Sequence, residues 1–366
     1  MRAHPVQPAD AASSGTEESS RLPDQQRPTA DGFAWLASPL VFWGLAAVAS
    51  LQFAIAYVRT LPPEFPFEQY AFAHVEYPYR RRVLMQWVLR AAMHFGERLT
   101  YRSQHSRFTP VEICNIAVTA IAMLAAIAIA SRWIQRIAGT DNPLRWLSLL
   151  VLWICNYHFL LVPEIRAQLP YDVPSVALFG LGCYAAYTRN RLLYYPTLIV
   201  ASINRESALF LPFVFLLFQM GEAGSLAQAI RRAKPALWAE TLLQLGIWAA
   251  IFEWCIWLTG GPGPPLHLLV RNLHLIAHPA HWPTYASILG FLWIPYLLSF
   301  RQIGDPRLQR IAWLALPWAG VMVVFADPLE IRTNSEWAVY MAVCMAAMAR
   351  GWIVKRGEIS AAMQRT

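Results

Sequence analysis

Two adjacent charged residues, Arg205 and Glu206, interrupt the long apolar run 192–220. A charged side chain at the centre of a membrane helix costs roughly 2.5–3.5 kcal/mol, so such residues usually belong to a functional site or a protein interface. Arginine presents a fork of donors that matches phosphate and carboxylate oxygens. We expect Arg205 to face a bound phosphate or an acid such as Asp172 or Glu330. We expect Glu206 to stabilise the start of a following helix.

Arginines also crowd the segment before residue 110. They are Arg80, Arg81, Arg82, Arg90, Arg98, Arg102 and Arg107. Within 83–95, the sequence VLMQWVLRAAMHF places Gln86, Arg90 and His94 four residues apart, on one stripe of an otherwise apolar helix. We expect an interfacial helix whose stripe faces either lipid headgroups or an anion site for phosphate or diphosphate. In the second case the substrate-binding candidates are Arg80, Arg81, Arg82 and Arg90.

Acidic residues precede two predicted spans and are candidates for the same site. Asp172 lies in LPYDVPS, while Glu330 and Arg332 lie in DPLEIRTNSE. Such acids either orient a substrate or cap the N-terminus of the next helix. We place Asp172 among the catalytic candidates. The further substrate-binding candidates are Arg205, Glu206, Glu330 and Arg332.

Residues that bind metals are sparse. His274 and His278 are four residues apart, but HEXXH-type support and a nearby carboxylate are missing. The five cysteines lie singly in apolar segments without CxxC spacing, so we expect them to pack as small hydrophobic residues. We predict no cofactor and no metal ligands, although the sequence leaves a divalent metal open.

The composition indicates a membrane protein. Hydrophobic residues make up 57% of the chain and charged residues 14%, against about 25% charged in soluble domains. The formal net charge of +8 comes mainly from arginines scattered between apolar segments. That distribution is typical of membrane topology rather than of nucleic-acid binding. We expect membrane lipids as partners and no nucleic acid.

The chain divides into a multispan domain and two polar tails. Residues 1–36 are rich in Pro, Ser, Gln and charge, so we expect a disordered cytoplasmic tail. Residues 37–350 form the membrane domain, and 351–366 form a second cytoplasmic tail. Apolar spans are predicted at 37–58, 111–131, 145–162, 173–188, 236–259, 284–300, 310–325 and 334–350.

The run 192–220 is too long for one span. A single helix there would be about 43 Å long, whereas the hydrocarbon core of a bilayer is about 30 Å thick. We therefore predict two helices, 192–203 and 206–220, with Arg205 and Glu206 at the turn between them. The fold class is then all-α, a polytopic membrane protein of about ten transmembrane helices.

The distribution of basic residues orients these ten spans. Loops on the side of both termini carry clusters of basic residues, and the opposite loops after the first carry single arginines. The positive-inside rule assigns the first side to the cytoplasm. The outer loop 60–110, which contains the interfacial helix 83–95, breaks this rule, so its arginines need another explanation such as an anion site.

The pieces EYPYRRRVLMQWVLR, LPYDVPSVALF, SINRESALFLPF and LEIRTNSEW resemble segments of bacterial multispan proteins grouped near the GT-C superfamily of membrane glycosyltransferases. The layout of 37–350 is also similar to that superfamily. The resemblance implies a sugar donor linked to polyprenyl phosphate, a glycan or lipid acceptor, and an outer-face reaction at the bacterial inner membrane. It also implies a base in the first outer loop, where the matching carboxylates are Glu64, Glu68 and Glu76. That loop has no DXD or EXD pair, which argues against a metal-dependent mechanism.

Transfer from such a donor needs cations for the departing phosphate and a carboxylate for the acceptor proton. Glu76 is the first choice of base, because it lies four residues before Arg80 and nearby arginines keep it ionised. Glu68 is the second choice, and Asp172 would orient acceptor hydroxyls. Three other readings stay open: a different polyprenyl-lipid or polysaccharide-processing enzyme, a transporter of an anionic or glycolipid substrate, and a lipid-binding factor without chemistry.

Overall fold

The computed structural model describes residues 38–60, 67–75, 79–100, 108–139, 143–162, 169–221, 225–260 and 268–363. Within these ranges the fold is all-α, as predicted, and no β-strand occurs. The predicted tail 1–36 lies outside the described residues. The helices are α1 (Pro39–Arg59), α2 (Phe67–Ala71), α3 (Val83–Thr100), α4 (Pro110–Ala138), α5 (Leu150–Asn156), α6 (Asp172–Tyr187), α7 (Arg191–Asn204), α8 (Phe210–Gln219), α9 (Leu226–Arg232), α10 (Pro235–Thr259), α11 (Leu268–Ala277), α12 (Trp282–Ala286), α13 (Trp293–Leu298), α14 (Pro306–Ile311), α15 (Ala315–Phe325) and α16 (Ala338–Met363). Short 3₁₀ segments that matter for the site are Tyr79–Arg81, Glu206–Leu209 and Ile331–Trp337.

Within the described ranges, six helical stretches are long and apolar enough to cross a membrane, which supports the prediction of a membrane protein. They are Pro39–Arg59, Pro110–Ala138, Pro143–Leu161, Pro235–Thr259, Pro306–Phe325 and Ile331–Gly357. The other predicted spans form shorter helices: α6 has 16 residues and α7 has 14, or about 24 and 21 Å at 1.5 Å per residue. The predicted span 284–300 is divided between α12 and α13. Length and composition thus give six candidate crossings among the described residues, and the number ten stays a prediction.

Contacts between helix termini define two opposite ends of the bundle. At the first end, the Tyr57 hydroxyl near the end of α1 donates to the Leu169 carbonyl just before α6, at 2.8 Å. At the second end, the Tyr187 hydroxyl at the end of α6 donates to the Asp305 carboxylate just before α14, at 2.9 Å. We call these the Asp172 end, after the first residue of α6, and the Asp305 end.

Helix α6 is packed tightly enough to fix the Asp172 end. A Cβ atom added at Gly180 would lie 2.6 Å from a methyl group of Val339 on α16, and one at Gly182 would lie 2.7 Å from a methyl group of Leu211 on α8. Interiors packed at this density respond to even one added methylene group. Because Asp172 opens α6, this packing holds its backbone in a defined position.

The helical run 192–220 is interrupted at Arg205, as its length predicts. Helix α7 ends at Asn204, Arg205 is extended with φ −160° and ψ 145°, and a 3₁₀ segment begins at Glu206. The Asn204 amide anchors the break to α6 by donating to the Tyr171 carbonyl at 3.1 Å and to the Ser175 hydroxyl at 2.8 Å. The predicted break is confirmed. Because of this interruption, the adjacent side chains of Arg205 and Glu206 contact different partners.

Helix α3 is longer than the predicted helix 83–95, because the residues after Gly96 include good helix formers. The Gln86 amide donates to the Arg80 carbonyl at 2.7 Å, and Arg90 Nε donates to the Ala71 carbonyl. These two members of the predicted stripe therefore contact the polypeptide that precedes the helix. The location of α3 at a membrane interface stays a prediction.

Candidate active site

A chain of alternating charges links five side chains at the Asp172 end. Arg205 Nη1 lies 3.3 Å from Asp172 Oδ1 and 3.1 Å from Glu336 Oε1. Arg332 Nη1 lies 2.6 Å from Asp172 Oδ2, and its Nη2 lies 3.3 Å from Glu330 Oε2. We call this set the ion chain, in the order Glu336, Arg205, Asp172, Arg332, Glu330. It contains three carboxylates and two guanidinium groups.

Four of the five side chains in the ion chain are buried. The exposed fractions are 0% for Asp172, 1% for Glu336, 3% for Arg332 and 6% for Arg205, against 22% for Glu330. Charges can be removed from water only when each has an opposite charge and hydrogen-bond partners, and the alternation supplies these. The Glu330 end is therefore where a substrate can reach the ion chain.

Asp172 is held by the backbone as well as by the two arginines. It is the first residue of α6, where the helix dipole favours a carboxylate. Its Oδ2 also accepts a hydrogen bond from the Leu169 backbone N–H at 3.1 Å. Both carboxylate oxygens are thus engaged. This geometry suits Asp172 to positioning Arg205 and Arg332 rather than to accepting a proton.

A second ion pair lies near the ion chain. Arg82 Nε lies 3.1 Å from Glu206 Oε2, and both side chains are partly exposed, at 12% and 30%. The Arg82 guanidinium lies over the Tyr171 ring, 4.2 Å from its centroid. Burial acts to lower the pKa of Arg82, but the Glu206 carboxylate raises it well above its ordinary value. Arg82 is therefore a permanent cation at the accessible side of the site.

The Tyr79 hydroxyl is influenced by charges of both the ion chain and the Arg82–Glu206 pair. Burial first, and then the charge of Glu330, raise the pKa of Tyr79 above its ordinary value. Arg332 and Arg82 act on the same hydroxyl in the opposite direction. The phenol therefore stays protonated at neutral pH and is able to donate a hydrogen bond beside these charges.

Three of the predicted substrate-binding arginines contact other parts of the bundle. Arg80 Nη2 donates to the Gly260 carbonyl after α10 at 3.0 Å. The Arg81 guanidinium lies over the Phe252 ring of α10, 5.4 Å from its centroid. Arg90 donates to the backbone near α2, as described above. Of the arginine triplet Arg80, Arg81 and Arg82, the third member is the one that forms an ion pair beside the ion chain.

The carboxylates predicted as bases fall largely outside the described residues. Glu64 and Glu76 lie outside them altogether. Glu68 lies on α2, and its side chain is also outside the described part of the chain. Their catalytic roles therefore stay predictions from the sequence.

Glu336 is a member of the ion chain that sequence analysis missed. Besides Arg205, its Oε1 accepts a hydrogen bond from the Ser207 hydroxyl at 2.7 Å. It follows Arg332 by four residues, a spacing that places two side chains close to one face of a helix. An oppositely charged pair at this spacing beside an apolar span is the signal that could have identified it.

An apolar cavity of about 570 Å³ adjoins the ion chain. Its lining comes from α11 to α16 and from the 3₁₀ segment before α16, where it includes Thr333, Asn334 and Trp337. These residues are interleaved in sequence with Arg332 and Glu336, which are buried in the ion chain. One short segment thus separates a charged environment from an apolar one.

A left-handed turn contributes Leu289 to the lining of this cavity. Leu289, Gly290 and Phe291 have φ values of 56°, 61° and 65°, a region that is uncommon for residues with a Cβ atom. His158 Nε2 accepts a hydrogen bond from the Leu289 N–H at 2.8 Å, and Trp153 Nε1 donates to the Gly290 carbonyl at 3.3 Å. Two side chains from the α5 region therefore anchor the turn.

The described residues include no group of three or more His, Cys, Asp or Glu side chains that could hold a metal ion. Of the pair His274 and His278, the second accepts a hydrogen bond on Nδ1 from the Ala280 N–H at 3.3 Å. That contact caps the 3₁₀ segment Pro279–His281.

Comparisons with protein-family models, with curated proteins and with solved structures find no match to this chain. The resemblance to GT-C glycosyltransferases therefore stays a prediction. Function is inferred below from the residues of the site and their chemistry.

Proposed function

We propose that this protein is a membrane glycosyltransferase that transfers a sugar from a polyprenyl-phosphate-linked donor to an acceptor at the Asp172 end. The observation that carries the proposal is the juxtaposition of the ion chain and the apolar cavity on the two sides of segment Ile331–Trp337. A lipid-linked sugar is likewise divided into an apolar part and a charged part, because its apolar chain is joined through an anionic phosphate to a polar sugar.

The cavity suits the apolar chain of such a donor. Its volume of about 570 Å³ falls within the range of about 300–1,000 Å³ that is usual for ligand sites. The lining residues Leu297 and Ala319 are exposed, Leu297 at 62%. The cavity therefore opens at the surface of the bundle, where a longer chain would continue into the surrounding lipid.

Arg332 and Arg82 are the cations suited to the donor phosphate. Arg332 Nε is a buried donor without a hydrogen-bond partner among the described residues. Glu330, as the exposed end of the ion chain, can yield its place on Arg332 Nη2 to a phosphate oxygen. Charge-assisted contacts from an arginine fork are among the stronger protein–phosphate contacts. Arg82, partly exposed beside the ion chain, supplies a second cation.

In the transfer, the acceptor hydroxyl attacks the anomeric carbon, and the bond from that carbon to the phosphate oxygen breaks. A carboxylate takes the hydroxyl proton, and Arg332 and Arg82 stabilise the charge on the departing phosphate. Glu206 and Glu330 are partly exposed carboxylates beside these arginines. Glu76 stays the base that the sequence favours.

The same proposal includes the orientation of the chain. We place the Asp172 end at the outer face of a bacterial inner membrane, with ten crossings that include the shorter helices α6, α7 and α8. The loops at the Asp305 end carry the clusters of basic residues, which the positive-inside rule retains in the cytoplasm.

Filling the cavity tests the proposed lipid site. We expect Ala319→Phe to weaken the binding of a synthetic polyprenyl phosphate to the purified protein by about tenfold or more, because ring and lipid chain compete for one space. The matched control is Leu316→Phe on the same helix, since Leu316 is 68% exposed and lies outside the cavity lining. Calorimetric titration in detergent measures both dissociation constants. Wild-type affinity in Ala319→Phe would place the lipid elsewhere and remove the main support for the proposal.

A further inference from the structure

A second cavity lies at the Asp305 end, opposite the ion chain. Its volume is about 740 Å³, and its basic lining residues are Arg136, Arg307, Arg350 and Lys355. We propose that this cavity binds a phosphate group, either as inorganic phosphate or as the headgroup of an anionic lipid. The proposal is independent of the sugar-transfer reaction.

The single carboxylate in the lining is already neutralised. Asp305 Oδ2 lies 2.9 Å from Arg307 Nη2, and its Oδ1 accepts from Arg307 Nε at 3.2 Å and from the Arg307 backbone N–H at 2.8 Å. The Tyr187 hydroxyl donates to Asp305 as well, at 2.9 Å. Burial acts to raise the pKa of Asp305, but the hydrogen bonds from Arg307 lower it below its ordinary value. Asp305 is therefore committed to Arg307, and the other three cations of the lining have no carboxylate partner among the described residues.

The three remaining cations come from two helices that meet at this cavity. Arg136 lies in the last turn of α4, whereas Arg350 and Lys355 lie on α16. Arg350 Nη1 donates to the Ile137 carbonyl, which fixes the two helices against each other. Arg136 and Lys355 are exposed and form no ion pair with any described residue.

Tight backbone packing shapes the floor of the cavity. A Cβ atom added at Gly351 would lie 2.4 Å from the Gln302 carbonyl oxygen, so only glycine permits this approach of α16. The Arg307 guanidinium lies over the Tyr187 ring, 4.4 Å from its centroid. The wall around Asp305 is thus held in place before any ligand binds.

The arrangement fits an anion with at least one full charge. The positive-inside rule explains why the loops at this end are basic, but it does not require arginine and lysine to converge on one concave surface. Basic pockets between membrane helices on the cytoplasmic side are suited to phosphate headgroups. Arginine adds donors with the geometry of phosphate oxygens, and lysine adds a mobile point charge.

Neutralising the two uncommitted cations tests the site. The variant is Arg136→Gln/Lys355→Gln, and the control is Arg231→Gln/Arg232→Gln, which removes two exposed charges from α9 outside the cavity. Purified full-length protein in a neutral detergent is titrated calorimetrically with inorganic phosphate, with short-chain phosphatidylglycerol and with phosphatidylcholine of the same chains. We expect about tenfold weaker binding of an anionic ligand to the first variant and unchanged binding to the control.

The titrations also identify the source of the phosphate. Binding of phosphatidylglycerol alone assigns the site to a lipid headgroup, and binding of inorganic phosphate as well assigns it to the phosphate group itself. Binding of neither anion by the wild-type protein would overturn the proposal. Equal losses in the two double variants would also overturn it, since only the overall charge would then matter. The single variant Lys355→Glu reverses one charge of the cavity at an exposed position. We expect it, too, to bind the anionic ligand more weakly than the wild-type protein does.

Discussion

Replacement of Arg205 by alanine is expected to lower the free energy of unfolding by about 3–5 kcal/mol, the usual cost of removing one partner from buried charges. Arg205 lies between Asp172 and Glu336, which are 0% and 1% exposed, at 3.3 and 3.1 Å. Without it, Glu336 loses its only ion-pair partner among the described residues. The measurement is denaturation of the purified protein in mixed micelles.

The matched control for this prediction is Arg191→Ala. Arg191 contacts Glu240 through two hydrogen bonds of 2.7 and 2.8 Å, but its side chain is 58% exposed. Exposed pairs of this kind contribute about 0.2–1 kcal/mol. A loss of similar size in both variants would contradict the view that burial makes the ion chain important. The variant Arg205→Lys keeps the charge, and both ion-pair contacts of Arg205 come from Nη1 alone, so we expect it to lose less stability than Arg205→Ala.

Arg82→Gln is expected to weaken binding of a polyprenyl phosphate by roughly 10- to 100-fold, the equivalent of a charged hydrogen bond of about 1.5–3 kcal/mol. Arg82 is the member of the arginine triplet that lies beside the ion chain, with its Nε 3.1 Å from Glu206. Its side chain is 12% exposed, between the buried Arg205 and the exposed Arg191, so we expect a loss of stability between those of their alanine variants. The measurement is the dissociation constant of a synthetic polyprenyl phosphate.

Arg80, another member of the triplet, offers the control. Arg80→Gln removes the same charge two residues away, from a side chain that donates to the Gly260 carbonyl rather than to the site. We expect the affinity of Arg80→Gln for the lipid phosphate to stay within about threefold of the wild-type value, because the long-range effect of a single partly exposed charge is screened by salt. Equal weakening by both variants would mean that the triplet acts only through its overall charge.

The break at Arg205 could be predicted from the sequence because it follows from the length of the apolar run and the distribution of charges. An apolar run much longer than the hydrocarbon core must break, and a pair of charges marks where. The contact between Arg205 and Asp172 was one of the alternatives that charge pairing suggested. Glu336 could not be predicted as readily, because it lies within the apolar segment 334–350 whereas Arg332, four residues earlier, lies before it.

Other features depend on tertiary packing and leave little trace in a sequence. The arginines of the triplet diverge because Arg80 and Arg81 lie in a 3₁₀ segment, where successive side chains point in different directions, whereas Arg82 follows the end of that segment. Composition alone cannot decide which of three adjacent arginines faces the site. The cavity at the Asp305 end is equally hidden, because its lining comes from helices that are distant in sequence. The number of membrane crossings is unresolved by length, since α6 and α7 are shorter than a typical span.

The most direct test of the central claim is the mass of the lipid that copurifies with the wild-type protein from its native membrane. Native mass spectrometry, followed by release of the lipid and fragmentation, identifies both its headgroup and its chain. The proposed function predicts a polyprenyl phosphate, with or without a sugar, that is depleted in Ala319→Phe and in Arg82→Gln but kept in Leu316→Phe and in Arg80→Gln. Recovery of ordinary phospholipids alone, in equal amounts from all five proteins, would contradict it.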